Sequence, residues 1–159
     1  GTTKGMWPPV RLIHWSARRI PPLNRLLLAQ MAGFYADPDR MRSQMLSRLP
    51  QPDIRLLEER PEVLDIFAAD AQEAHANGIE GDAYEWSLYT RDWGFALSAL
   101  TAHVELWYGR YDVQVPLAMG KYFARTLPAS TLHIVDDGAH FSTINNHIAE
   151  ILTTLVSGT

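Results

Sequence analysis

The hydrophobic pattern divides the chain into a long helical block and a shorter segment of strands and helices. Between residues 10 and 92, apolar side chains recur at three- and four-residue steps, which predicts a series of amphipathic helices. The second of these is predicted from about Leu23 to Tyr35, with Leu26 and Leu27 on a buried face and Asn24 on the opposite side. No strand is predicted in this block.

Local signals predict several helix ends. Asp37-Pro38 predicts a start, because the carboxylate accepts from free amides of the first turn and proline is tolerated at the first helical position. Pro61 predicts another start. Asn77-Gly78 predicts the end of that helix, since both residues favour the left-handed backbone of a C-terminal cap. The last helix of the block is predicted from Glu80 to Tyr89.

After residue 100 the period changes. Short β-rich runs at His103–Tyr108 and Thr131–Val135 predict two strands, with one helix between them over Leu117–Leu127 and another from Asn145 to Val156. The order strand, helix, strand, helix is typical of a right-handed crossover in a parallel sheet. The predicted fold class is therefore α/β and mostly helical.

We divide the chain into residues 1–100, a helical region with an irregular lead-in, and residues 101–159, a βαβα portion. A parallel sheet of only two strands is not stable alone, because both faces and both edges need cover. The sheet is expected to have further strands that this sequence does not contain.

Composition and charge narrow the classes of function. Lysine and arginine number 14 and aspartate and glutamate 18, giving a net charge of −4 without a long run of either sign, which argues against nucleic acid as a partner. The absence of cysteine excludes disulfides, thiolate metal sites and a cysteine nucleophile. Neither a membrane span, which needs roughly 20 apolar residues, nor a secretory leader is recognisable, so a cytoplasmic protein is expected.

Two residues that can carry or relay protons stand just past the two predicted strands. Asp112 follows the first strand and His140 follows the second, each after a short turn. The carboxyl ends of neighbouring parallel strands meet at one edge of a sheet, where active sites commonly lie. A carboxylate bonded to one imidazole nitrogen fixes the tautomer and leaves the other nitrogen as a base. Each residue alone is more often a turn cap or a surface group.

The flanks of both residues resemble a known family. Residues 106–116, with Gly109, Asp112 and a Val-Pro helix start, look like the acid-bearing segment of the α/β-hydrolase superfamily. Residues 127–135, followed by Gly138-Ala139-His140, resemble that family's final strand and catalytic-histidine turn. The resemblance implies that Asp112 and His140 are the acid and base of a Ser-His-Asp triad. It also implies that the helical block is a lid or cap inserted before the acid-bearing strand, followed by the C-terminal piece of the hydrolase sheet.

The family's nucleophile motif is missing. In α/β-hydrolases a G-x-S-x-G elbow precedes the acid and the base, and no serine here has paired flanking glycines. Ser142, two residues after His140, is interpreted as a helix cap and not a nucleophile. We expect this chain to be the C-terminal part of a serine-type hydrolase acting on an ester or similar acyl substrate, and to be inactive without an upstream nucleophile.

Other functions stay open. The chain is alternatively a non-catalytic helical interaction module, or part of a relative with an aspartate nucleophile that acts on epoxides or haloalkanes. No cofactor and no metal are expected, since the histidines from His103 to His147 lie on different elements without ligand spacing. The expected partners are a small-molecule acyl substrate and a second copy of the chain, in a homodimer or a swapped assembly through an exposed strand edge and the lid. Neither nucleic acid nor a membrane is expected.

Overall fold

The computed structural model describes residues 2–157, and these fall into two compact units. One unit contains the chain up to Trp7, Pro50–Leu56 and the chain from Gly94 onward, and the other contains Pro8–Leu49 and Leu57–Trp93. The fold is mostly helical with one small parallel sheet, as the sequence predicts. Among the residues that the structure describes, no helix is both long and apolar enough to cross a membrane.

Short helices make up the second unit. The first six helices of the chain are α1 (Pro8–Arg19), α2 (Pro21–Tyr35), α3 (Pro38–Arg48), α4 (Gln51–Glu59), α5 (Pro61–Ala74) and α6 (Glu80–Tyr89). Of these, α4 begins in the first unit. The core of the second unit is formed by buried Met41, Leu57, Leu64 and Ala68, with Phe34 and Tyr35 among the side chains packed against it.

The buried face of α2 differs from the predicted one. Asn24, predicted to be exposed, is only 3% exposed, whereas Leu26, predicted to be buried, is 56% exposed. The Nδ2 atom of Asn24 donates to the carbonyl of Ile13 at 3.2 Å and to Oγ of Ser16 at 3.3 Å. These bonds to α1 remove the cost of burying the amide. The hydrophobic pattern did not predict the burial of Asn24, because it classifies residues by polarity and does not show which hydrogen-bond partners the fold provides.

The predicted helix starts at Asp37-Pro38 and Pro61 match the structure, whereas the predicted end at Asn77-Gly78 does not. The side chain of Asp37 accepts from the N–H of Arg40 at 3.0 Å, which confirms the start of α3. The predicted end of α5 at Asn77-Gly78 is wrong, because α5 ends at Ala74 with His75 as its cap. The ring of His75 lies 2.6 Å from the carbonyl of Ala71 and so occupies an acceptor of the last turn. Gly78 has a left-handed φ of 95°, but in the following turn.

The sheet lies in the first unit, where a 3₁₀ turn at Leu97–Ala99 precedes β1 (Val104–Gly109), α7 (Leu117–Thr126), β2 (Ser130–Val135) and α8 (His140–Ser157). The strands are parallel, with Val104 opposite Ser130 and Gly109 opposite Val135. Helix α7 packs against both strands and α8 against β1. The predicted β-α-β-α order is confirmed.

Helix α8 begins earlier in the chain than the sequence predicts. This helix was predicted from Asn145 onward, with His140 in the preceding turn, yet it begins at His140 itself. The early start has a cause outside the helix: a carboxylate from α4 accepts hydrogen bonds from its first three amides. His140 is therefore fixed by regular helical backbone.

One edge of β1 has no partner strand among residues 2–157. The N–H groups of Val104 and Arg110 donate to carbonyls on the β2 side, at 3.0 Å each. Alternation along a strand then directs the amides of Glu105 and Trp107 away from β2.

Along α8, an apolar stripe at helical spacing is about half exposed and consists of Ile144, Ile148, Leu152 and Leu155.

Candidate active site

Asp112 is held by its own loop. It lies three residues beyond the end of β1, and its backbone N–H donates to the carbonyl of Gly109 at 3.3 Å. Its Oδ1 atom accepts from the N–H groups of Gln114 at 2.7 Å and Val115 at 2.8 Å. Such bonds from an aspartate to the following amides define an Asx turn. One carboxylate oxygen is thus committed to the loop, and Oδ2 is left to point elsewhere.

The Oδ2 atom of Asp112 faces His140. It lies 3.0 Å from Nδ1 of the imidazole. Because a carboxylate only accepts hydrogen bonds, Nδ1 is the nitrogen that carries the proton, and the lone pair of a neutral His140 is on Nε2. Among residues 2–157, Nε2 has no hydrogen-bond partner. The structure thus brings together the two residues that the sequence singled out, while their catalytic role stays a prediction.

The pair is partly shielded from solvent. The side chain of Asp112 is 10% exposed and that of His140 is 36% exposed. Burial lowers the pKa of His140, but the hydrogen bond and charge of Asp112, with the charge of Asp53, outweigh it and raise the pKa above the ordinary 6.5. A base whose protonated form is stabilised in this way is suited to accept a proton and release it again.

Two glycines let the turns that carry the pair pack closely. The N–H of Tyr111 donates to the carbonyl of Gly138 at 2.9 Å. A Cβ atom placed on Gly109 would lie 2.6 Å from the backbone of Gly138, and one placed on Gly138 would lie 2.6 Å from Oγ1 of Thr143. No side chain fits at either position without displacement. The contact between the turns is therefore what sets Asp112 beside His140.

Asp53 belongs to this site and was not identified from the sequence. Its side chain is 0% exposed, and Oδ2 accepts from the N–H of His140 at 3.1 Å. Its Oδ1 accepts from the N–H of Phe141 at 3.1 Å and from both the N–H and the hydroxyl of Ser142 at 2.8 Å. The only sequence signal was an acidic residue in the first turn of α4, which normally indicates a local cap.

Ser142 has a structural role in this arrangement. Its hydroxyl donates to Asp53 and accepts from the N–H of Ala139 at 2.8 Å. The bond back to Ala139, the residue before the helix, is the reciprocal half of a capping box. This agrees with the interpretation of Ser142 as a cap. A buried hydroxyl that donates to a carboxylate is not available as a nucleophile for His140.

A second histidine–carboxylate cluster lies in the first unit. The carboxylate of Glu105 on β1 contacts two histidine rings: its Oε1 lies 2.9 Å from Nε2 of His103, and its Oε2 lies 2.6 Å from Nε2 of His133. The ring of His133 stacks on Trp107, with centroids 4.1 Å apart and an interplanar angle of 9°. Both histidines therefore have their Nε2 atoms occupied by the same carboxylate. Within the described part of the chain, no group of three or more potential ligands is arranged to hold a metal ion.

A cavity of about 780 Å³ borders the loop of Asp112. Its cationic lining residues include Lys4, Lys121 and Arg125, whereas His140 is not part of its wall. A molecule bound only in this cavity would not contact His140, so the cavity is not assigned to the Asp112–His140 pair. Comparisons of the chain with protein-family models, with curated proteins and with solved structures find no match, so a function has to be argued from the site itself.

Proposed function

We propose that this chain provides the acid and the general base of a serine-type α/β-hydrolase that acts on an ester or similar acyl bond. The observation that carries the proposal is the 3.0 Å contact between Oδ2 of Asp112 and Nδ1 of His140. Both residues follow the carboxyl ends of neighbouring parallel strands. Strand ends of this kind are where open α/β sheets place their active sites.

In the proposed mechanism, Nε2 of His140 takes the proton of a serine hydroxyl as its oxygen attacks the acyl carbon. The resulting imidazolium is stabilised by Asp112, which also keeps the ring in the tautomer with its proton on Nδ1. His140 then returns the proton to the leaving group. The two loop amides bound to Oδ1 of Asp112 keep the carboxylate from turning away during this cycle.

The proposal places the nucleophile and the oxyanion donors outside this chain. Ser142 is engaged with Asp53, and no serine hydroxyl among residues 2–157 is hydrogen-bonded to the ring of His140. The 159-residue chain alone is accordingly expected to hydrolyse aryl esters no faster than its His140→Ala variant. Esterase activity of this chain that disappears in Ser142→Ala would contradict the proposal.

The direct test is hydrolysis of a short-chain aryl ester by the protein that also contains the nucleophile segment. Replacing His140 by alanine or Asp112 by asparagine is expected to lower kcat by about 10³-fold or more, the range for removal of triad members. His133→Ala is the matched control, since His133 also pairs with a carboxylate, at 2.6 Å, and has no part in the proposed mechanism. Unchanged turnover in His140→Ala removes this residue from the reaction and contradicts the proposal.

The second candidate function is a non-catalytic interaction module. The observation in its favour is the apolar stripe of α8, where Ile144, Ile148, Leu152 and Leu155 are about half exposed. Contiguous exposed apolar surface of this kind marks contact sites. Under this function, Ile148→Lys abolishes partner binding, whereas His140→Ala leaves binding intact. Under the hydrolase proposal, His140→Ala abolishes turnover, whereas Ile148→Lys leaves turnover intact.

A further inference from the structure

The residue before helix α8 has no side chain that can accept hydrogen bonds from the first amides of the helix. This residue is Ala139, which directly precedes the first helical residue, His140, and is completely buried. The first amides of a helix have no partner within the helix, and burying them unpaired is costly. Asp53 on α4 supplies the missing acceptor, although it lies 87 residues before His140 in the sequence.

Four donors converge on this one carboxylate. They are the N–H groups of His140, Phe141 and Ser142 and the hydroxyl of Ser142, at 2.8 to 3.1 Å. The remaining amide at the helix start, that of Ala139, donates to Oγ of Ser142 at 2.8 Å. Every free amide at the start of α8 is therefore bonded. A fully buried carboxylate is tolerated only when its oxygens are bonded in this way.

Asp53 also acts on the charge of His140. Its Oδ2 atom accepts from the backbone N–H of His140, which places a buried carboxylate beside that residue. The ionisable groups acting on the imidazole are Asp112, from the loop after β1, and Asp53, from α4. Asp112 orients the ring through Nδ1, whereas Asp53 holds the backbone from which the ring extends.

From these contacts we infer that Asp53 is a positioning residue for His140: it caps α8 from another helix, fixes the backbone of the proposed base and stabilises its protonated form. This inference rests on the proposed function only where turnover is concerned. The position and the protonation of His140 are measurable without any reaction.

The first measurement uses the unmutated chain. Hydrogen exchange followed by NMR is expected to be as slow at the amides of His140, Phe141 and Ser142 as in the interior of α8. In Asp53→Ala these three amides are expected to exchange roughly tenfold faster, the effect of losing an N-cap. Fast exchange at the three amides in the unmutated chain overturns the inference, whether or not any variant folds.

The second measurement is the NMR titration of the His140 ring in Asp53→Asn. Asparagine keeps an acceptor for Phe141 and Ser142 but removes the charge, so the pKa of His140 is expected to fall. Asp137→Asn is the matched control: Asp137 lies three residues before His140 and contacts Arg55 of α4 at 3.5 Å, but is 82% exposed. It is expected to change the His140 titration little, because exposed charges are screened. Equal titration of His140 in Asp53→Asn and the unmutated chain overturns the inference.

A turnover measurement separates this inference from the proposed function. In the protein that contains the nucleophile, Asp53→Asn is expected to move the acidic limb of the kcat/KM profile to lower pH, since the base then loses its proton more easily. A purely structural loss lowers turnover at every pH and leaves that limb in place.

If His140→Ala keeps its activity while Asp53→Asn lowers the His140 pKa, the proposed function fails and the positioning role stands. If His140→Ala is inactive and Asp53→Asn changes neither titration nor exchange, the positioning role fails and the function stands.

Discussion

The hydroxyl of Ser142 donates to Oδ1 of Asp53 at 2.8 Å, although 89 residues separate the two in the sequence. The same hydroxyl accepts from the N–H of Ala139, and the Ser142 side chain is buried. Both the donor and an acceptor position of this serine are thus used inside the protein.

Replacing Ser142 by alanine is expected to lower the free energy of unfolding by about 1–3 kcal/mol, because one bond to a buried carboxylate and one cap are lost together. Urea unfolding measures this loss. Ser47→Ala is the control, since Ser47 donates to a carbonyl at 2.9 Å on an exposed part of α3 and is expected to cost about 0.5 kcal/mol or less. Equal costs for the two serines would show that the contact with Asp53 contributes nothing.

Gly109→Ala tests the close contact of the two turns. An added Cβ lies 2.6 Å from the backbone of Gly138, so the turns have to separate, at a cost of about 1–3 kcal/mol. Separation also weakens the Asp112–His140 bond, so the pKa of His140 is expected to fall, which NMR titration measures. Gly33→Ala is the control: it lies in α2 with nothing within 4 Å, and alanine there is expected to stabilise by about 0.5–1 kcal/mol. A Gly109→Ala protein as stable as the unmutated chain would contradict the contact.

His75 is expected to make stability depend on pH. Its Nδ1 lies 2.6 Å from the carbonyl of Ala71 and its Nε2 lies 2.8 Å from Oδ2 of Asp82. Both partners only accept, so both nitrogens carry protons and the ring is cationic. Burial lowers the pKa of His75, but the bonds to Ala71 and Asp82 outweigh it and raise the pKa above 6.5.

Because the folded-state pKa of His75 is raised, its stabilising contribution is complete below the ordinary value of 6.5 and is lost as the pH rises through the folded value. Urea unfolding at a series of pH values is expected to show a difference in stability between the unmutated chain and His75→Gln that is largest at about pH 6 and shrinks towards about pH 8. A difference that is constant over this range would contradict a cationic His75.

The proposed assembly with a second copy of the chain is tested by light scattering. The sequence predicts contact through an exposed strand edge and the lid, and the edge of β1 that has no partner strand among residues 2–157 offers the amides of Glu105 and Trp107 to another strand. The exposed apolar stripe on α8 adds a further surface that a second copy would cover. The chain is expected to be a dimer that Ile148→Lys converts to a monomer. Glu85→Lys, an exposed change on α6, is expected to leave the dimer intact. A monodisperse monomer of the unmutated chain would contradict the assembly.

The sequence by itself determined most elements and both members of the Asp112–His140 pair. Proline and aspartate at helix starts act within one turn, and the change of period after residue 100 separates strands from helices locally. The order of β1, α7, β2 and α8 then brings Asp112 and His140 to one edge, because parallel strands with a short crossover leave little choice.

The tertiary structure alone decided where α8 begins, which face of α2 is buried and what holds the backbone of His140 in place. Each depends on a polar group that finds its partner on another element: Asp53 with the amides of α8, and Asn24 with Ile13 and Ser16 of α1. Periodicity and cap rules rate a residue by its neighbours in the chain. Burial of a polar side chain instead depends on donors and acceptors that only folding brings within 3 Å or so.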